Sequence, residues 1–152
     1  METTNKEVIE ILNDLILINN DRIIGYERAI KETKPEDADL KTLFASMIGE
    51  SHKTKLALAN EVQVLHGELA KGTTNSGKIY RAWMEVKAAF TGHDRHEILA
   101  SCEFGEDATQ KAYRTALEHK GLPTFLRQTI QQQQRTLKAS HDEIKALRDQ
   151  YA

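Results

Sequence analysis

Pro35 and Pro123 are the chain's only prolines, and the stretches on either side of them carry apolar residues at helical spacing. Proline suits the first turn of a helix and breaks an interior. Two prolines so far apart therefore permit long, uninterrupted helices. No stretch of useful length alternates apolar and polar residues as a half-buried strand would. The sequence predicts an all-α chain, with both prolines at helix connections.

The first helix is expected from about Asn5 to Thr33, with Val8, Leu12, Leu15, Ile23, Tyr26 and Ile30 on one stripe. Thr4 and Glu7 have capping-box spacing, in which hydroxyl and carboxylate satisfy free backbone donors reciprocally. A second helix is expected from about Glu36 to Ala70, striped by Leu40, Phe44, Met47, Leu58, Val62, Leu65 and Leu69. The short link through Pro35 makes these two an antiparallel hairpin. Gly72 to Gly77 reads as a loop. A shorter helix is expected over 78–90, with Ile79, Trp83, Val86 and Phe90 on one face. This segment is too long for a tight turn and reads as a crossover that leaves the second and third long helices parallel. The third starts after Asp94, which with Glu97 forms an acidic capping-box analogue, and stops near Gly121. The fourth opens at Pro123 and is striped by Leu126, Ile130, Leu137, Ile144 and Leu147. Four helices of roughly 25–35 residues give a bundle ~40–50 Å long. A single domain over residues 1–152 is expected, since no linker composition divides the chain.

The totals exclude some functions. The formal net charge is −2, with acidic and basic residues interleaved, so no basic surplus points to nucleic acid or an anionic membrane. The apolar run from Leu15 to Ile18 falls far short of the ~20 residues a membrane span needs. Cys102 is the lone cysteine, which rules out an internal disulfide and fits a reducing, cytoplasmic setting. There is no phosphate-cradling Gly-rich loop and no nucleophile motif.

The chemistry-bearing stretch is Cys102-Glu103-Phe104-Gly105-Glu106-Asp107. Glu103 and Glu106 are three residues apart, so both carboxylates lie on one side of a helix. Paired inward carboxylates in a helical bundle are the beginning of a di-metal centre. That centre also needs a Glu-x-x-His on each of two helices, and no Asp or Glu in this chain has His three residues on. Glu50 is followed at that spacing by Lys53, and Lys138 stands where His141 would need a carboxylate. A charged lysine cannot ligate and repels the ion.

Two readings follow. The one the residues favour is a buried polar layer of Asn19, Arg22, Tyr26, Ser51, Glu106 and Gln133, with Glu106 paired to Arg22 or Lys53. The alternative is an irregular site for iron or another divalent metal built from Glu50, Glu103, Glu106 and His141. Other candidates are weaker. His93-Asp94-Arg95-His96 fits surface or capping use better than a metal site. Cys102 lies on a core seam and reads as a buried, inert thiol. Trp83 with Phe90 reads as packing on the bundle rather than as an exposed partner site. Gly25, Gly49 and Gly105 inside helices suggest close helix approach.

The chain resembles a bacterial family of ferritin-like four-helix-bundle proteins of unknown function. The resemblance rests on Leu12-Asn13-Asp14-Leu15-Ile16, Asp21 and Gly25-Tyr26 in the first helix. It continues through Arg81-Ala82-Trp83, then Gly105-Glu106-Asp107, Tyr113 and Ala116-Leu117. Leu122-Pro123, His141-Asp142 and Leu147-Arg148-Asp149 complete it. It implies a ferritin-like fold and some association with stress proteins, and no established activity. The expectation is therefore a non-enzymatic bundle without cofactor, in a structural or protein-interaction role, as a homodimer or with a protein partner. The rival is a ferritin-like oxidase or ferroxidase with non-standard metal ligands.

Overall fold

The computed structural model describes residues 5–72, 83 and 95–150. Those residues form four long helices and no strand: α1 (Asn5–Glu32), α2 (Ala38–Val64), α3 (Arg95–Leu117) and α4 (Thr124–Gln150). A short 3-10 turn, Pro35–Asp37, joins the first two. None of the helices is long and apolar enough to cross a membrane.

Side-chain pairings set the directions. Asn19 and Arg22 of α1 reach Ser51 and Met47 of α2, and Tyr26 meets Phe44, so α1 and α2 are antiparallel. Asn19 and Arg22 also reach Tyr113 and Glu106, so α3 runs against α1. Tyr113 meets Gln133 and Asp107 meets His141, so α4 runs against α3. It follows that α2 and α3 are parallel. Arg95, the first residue of α3, bonds Asp37 and Asp39 at the start of α2 at 3.1 and 2.9 Å.

The end of α2 departs from expectation. It stops at Val64, not near Ala70. The amide of His66 donates to Gln63 O at 2.9 Å and that of Gly67 donates to Val62 O at 2.9 Å, while His66 takes φ 61°. This is a Schellman closure, with the left-handed residue just past the helix satisfying its last carbonyls. Leu65 still packs on the core, but Leu69 lies outside the helix and partly exposed. The chain then turns back along α1. Asn13 donates to Glu68 O at 2.8 Å and accepts from the Ala70 amide at 3.0 Å, and Asn20 donates to Gly72 O at 2.7 Å. At the other connection α3 ends at Leu117, before Gly121, and α4 begins one residue after Pro123. Arg127 explains that ending. It donates from Nη1 to Leu117 O and from Nη2 to His119 O, both at 2.5 Å, so a cation caps the carbonyl end of α3. Thr4, Asp94, Phe90 and most of the segment expected to be a helix over 78–90 lie outside the described residues.

Trp83 is fully buried. Its ring lies 5.0 Å from that of Tyr26, and its Nε1 donates to Thr109 Oγ1 at 3.2 Å. A Cβ at Gly25 would fall 2.3 Å from Trp83 Cε3, and one at Gly105 would fall 2.4 Å from Cδ2. These two glycines make room for an indole between α1 and α3. Gly49, by contrast, faces open space, so close approach does not account for it.

Among the described residues the apolar core is in two parts. One gathers Leu12, Leu15, Leu58, Val62, Leu126 and Ile130. The other gathers Tyr26, Leu40, Phe44, Trp83, Leu99 and Ile144. Each fully buried aliphatic or aromatic side chain contributes ~1.5–3 kcal/mol relative to exposure. Between the two clusters lies a belt of polar residues.

Candidate functional site

The belt is centred on Arg22, which has 0% exposure, and Glu106, which has 1%. Arg22 projects from α1 one turn before Tyr26, and Glu106 from the facing turn of α3. Arg22 Nε donates to Glu106 Oε1 at 2.6 Å and Nη2 donates to Oε2 at 3.1 Å, a bidentate pair. The same guanidinium reaches Met47 O at 3.2 Å, Ser51 Oγ at 2.9 Å and Glu50 Oε1 at 2.9 Å. Ser51 then donates to Asn19 Oδ1 at 3.0 Å. Asn19 Nδ2 donates to Leu15 O at 2.9 Å and to Tyr113 OH at 3.0 Å, and Tyr113 donates to Gln133 Oε1 at 3.1 Å. On the other side, Ser140 Oγ donates to Glu50 Oε1 at 2.9 Å. The chain of bonds touches all four helices.

Of the expected layer, Asn19, Arg22, Ser51, Glu106 and Gln133 are joined in this network. Tyr26 is not joined by its hydroxyl, which is buried and has no hydrogen-bond partner among the described residues. It takes part through its ring, with the Arg22 guanidinium carbon 5.2 Å from the centroid, in cation–π range. Lys53 is exposed and is not the partner of Glu106.

Burial alone would lower the affinity of Arg22 for its proton, but Glu106 foremost, with Tyr26 and Glu50, raises it above the ordinary arginine value. The guanidinium is charged at every accessible pH. Burial pushes the Glu106 carboxyl up, and Arg22 draws it back only in part. The Cys102 thiol is raised well above its ordinary value by burial, which suits inert packing.

The four residues of the alternative metal set are divided between two places. Glu50 and Glu106 are held by Arg22. Glu103 and His141 meet instead toward the rim of the α3–α4 seam, together with Asp107. His141 Nε2 is 2.6 Å from Asp107 Oδ1 and 3.9 Å from Glu103 Oε1, and its Nδ1 is 3.0 Å from Asp142 Oδ1. Arg148 Nη1 donates to Glu103 Oε2. Burial would lower the His141 pKa, but the hydrogen bonds to Asp142 and Asp107 raise it above its ordinary value. Arg95, from the weaker His93–His96 candidate, is tied to Asp37 and Asp39, and His93 and Asp94 lie outside the described residues.

Tyr113, Ser140 and Asp107 were not assigned to a site from the sequence, although Tyr113 and Asp107 are among the residues that carry the family resemblance. Tyr113 is fully buried, and its hydroxyl enters the network. Asp107 follows Glu103 by four residues, the spacing that brings side chains together on one helix face, which is the signal that could have found it.

A search among curated proteins finds no match to this chain. Residues 7–119, spanning α1 to the end of α3, match the family model described as Domain of unknown function (DUF2383), and the chain belongs to that family.

Proposed function

We propose that this protein is a non-enzymatic, ferritin-like scaffold with a structural or protein-interaction role in a cytoplasmic, stress-related setting. Two antiparallel hairpins with α2 parallel to α3 support the ferritin-like reading. The single observation that carries the non-enzymatic reading is Arg22. A ferritin-like di-metal centre draws carboxylates and histidines from all four helices at mid-bundle. Here the guanidinium of Arg22 sits between Glu106 and Glu50 at that level. It consumes the negative charge that would attract a pair of cations, and it repels any cation brought beside it. The donor set does not fit a di-iron group, and no oxygen chemistry is derived from it. What the network does supply is register. Each bonded polar tip has at least one partner on a neighbouring helix, and a slip of one residue would strand several of them at a cost. An interaction role, with a second copy or another protein, is supported by Leu56, Val64 and Phe125, which are large, apolar and largely exposed.

The test is aerobic incubation with Fe(II), followed by iron content and the rate of Fe(II) oxidation. The expected result is oxidation at the buffer rate and no iron pair retained. Two irons per chain with accelerated oxidation, both lost in Glu106→Gln, would overturn the reading in favour of the ferroxidase alternative.

A further inference from the structure

We infer that Glu103, Asp107 and His141 form a site for a single first-row divalent cation, Zn(II) foremost, at the rim of the α3–α4 seam. This site is separate from the bundle centre and goes beyond the scaffold reading. It is the only group of three or more His, Cys, Asp or Glu side chains among the described residues whose ligand atoms converge, all within 4.8 Å of one another.

The geometry is nearly that of a bound ion. Ligands at ~2.0–2.2 Å from a tetrahedral ion stand roughly 3.3 Å apart. The His141 Nε2 contacts with Asp107 at 2.6 Å and Glu103 at 3.9 Å bracket that value, and all three ligand atoms lie within 4.8 Å of one another, so rotamer adjustment is what would close the set on an ion. Glu103 and Asp107 are one turn apart on α3, and His141 comes from α4, so the ligand set spans a fixed helix–helix seam rather than a loop.

The outer contacts are those of a ligand shell. Asp142 Oδ1 accepts from His141 Nδ1 at 3.0 Å, which fixes the ring and aims Nε2 at the two carboxylates. Arg148 holds Oε2 of Glu103 and leaves Oε1 on the His141 side. Ion binding needs Nε2 unprotonated, and Asp107, with the Glu103 oxygen that Arg148 does not hold, supplies the negative charge. An imidazole nitrogen beside two carboxylates selects first-row transition ions over Mg(II) or Ca(II), which prefer all-oxygen shells. Three protein ligands leave a fourth position for water.

The experiment is a Zn(II) titration of the metal-stripped chain against a chromophoric chelator, with Co(II) absorption as a report of coordination number. The expected result is one Zn(II) per chain, abolished in His141→Ala and in Asp107→Asn, each confirmed as folded by circular dichroism. Asp142→Asn touches no ion and is expected to weaken binding by about 10- to 100-fold. His52→Ala, at an exposed histidine on α2, is expected to leave binding unchanged. Failure of the wild-type chain to compete with the chelator, or undiminished Zn(II) in His141→Ala, overturns the inference. Loss of the site in a folded Glu106→Gln variant also overturns it, because the ion would then lie at the bundle centre.

Discussion

Arg22 and Glu106 face each other across the α1–α3 interface as a bidentate ion pair with essentially no solvent contact. Their separation in sequence is large, but in the fold they are the midpoint between two apolar clusters. Breaking the pair from the Glu106 side leaves the buried Arg22 charge with only the part-exposed Glu50 as counter-ion, so the loss approaches the about 3–5 kcal/mol typical of a broken buried pair. Glu106→Ala is therefore expected to lose that much in urea denaturation at pH 7. The paired replacement Arg22→Met with Glu106→Leu removes both charges and is expected to match or exceed wild-type stability. A loss of less than ~1 kcal/mol in the single variant would mean that the pair is solvated, contrary to its burial.

Gly105 and Trp83 make a second coupled pair. A methyl group at position 105 would meet the indole at 2.4 Å, and neither the helix backbone nor a fully buried ring yields easily. Gly105→Ala is expected to cost about 1–3 kcal/mol through overpacking, even though alanine is the better helix former. Trp83→Ala alone is expected to cost about 3–5 kcal/mol. In the Trp83→Ala background the cost of Gly105→Ala should vanish or reverse, giving a coupling above ~1 kcal/mol in a double-mutant cycle. Additive losses would show that the glycine serves some other contact.

These two pairs also show what could be read before the fold was known. Helical periodicity places Arg22 and Glu106 inside the bundle, because charged residues that interrupt an apolar stripe face the core. It does not choose between Arg22 and Lys53 as the partner of Glu106, because that depends on which helix faces which. Glycines at 25 and 105 announce a close approach, but the approaching group comes from position 83, far from either in sequence. The division of Glu50 and Glu106 from Glu103 and His141 follows from rotation about α3. Glu103 and Glu106 share a broad side of the helix, but roughly 60° separates them. That angle turns one toward α1 and the other toward α4. The early end of α2 was hidden because His66, not a glycine, takes the left-handed position.

Gly49 is the control for Gly105. It lies in the interior of α2, and a Cβ there would meet nothing within 4 Å. Glycine in a helix interior costs roughly 0.5–1 kcal/mol relative to alanine. Gly49→Ala is expected to stabilise the chain by about that amount and to raise the melting temperature, opposite in sign to Gly105→Ala. A destabilised Gly49→Ala variant would point to something covering this face, and its oligomeric state by light scattering would then be the next measurement.

Asp39 and Arg95 predict how the chain responds to acid. The two hydrogen bonds from Arg95 are the main reason that the Asp39 carboxyl is lowered to about 2, below its ordinary 3.8. A carboxyl depressed in the folded state favours folding most above its unfolded pKa, because the unfolded chain takes up the proton first. The contribution is thus complete above about pH 4 and is lost as the pH falls toward about 2. Asp39→Asn removes this titration while keeping a group able to accept a hydrogen bond. Between those pH values the melting temperature of the wild-type chain should fall more steeply than that of Asp39→Asn, with the two curves converging at the acid end. Because the pair tethers the start of α3 to the start of α2, hydrogen exchange in the first turn of α3 should rise over the same interval. Parallel melting curves across that interval would show that the contact between Arg95 and Asp39 does not persist in solution.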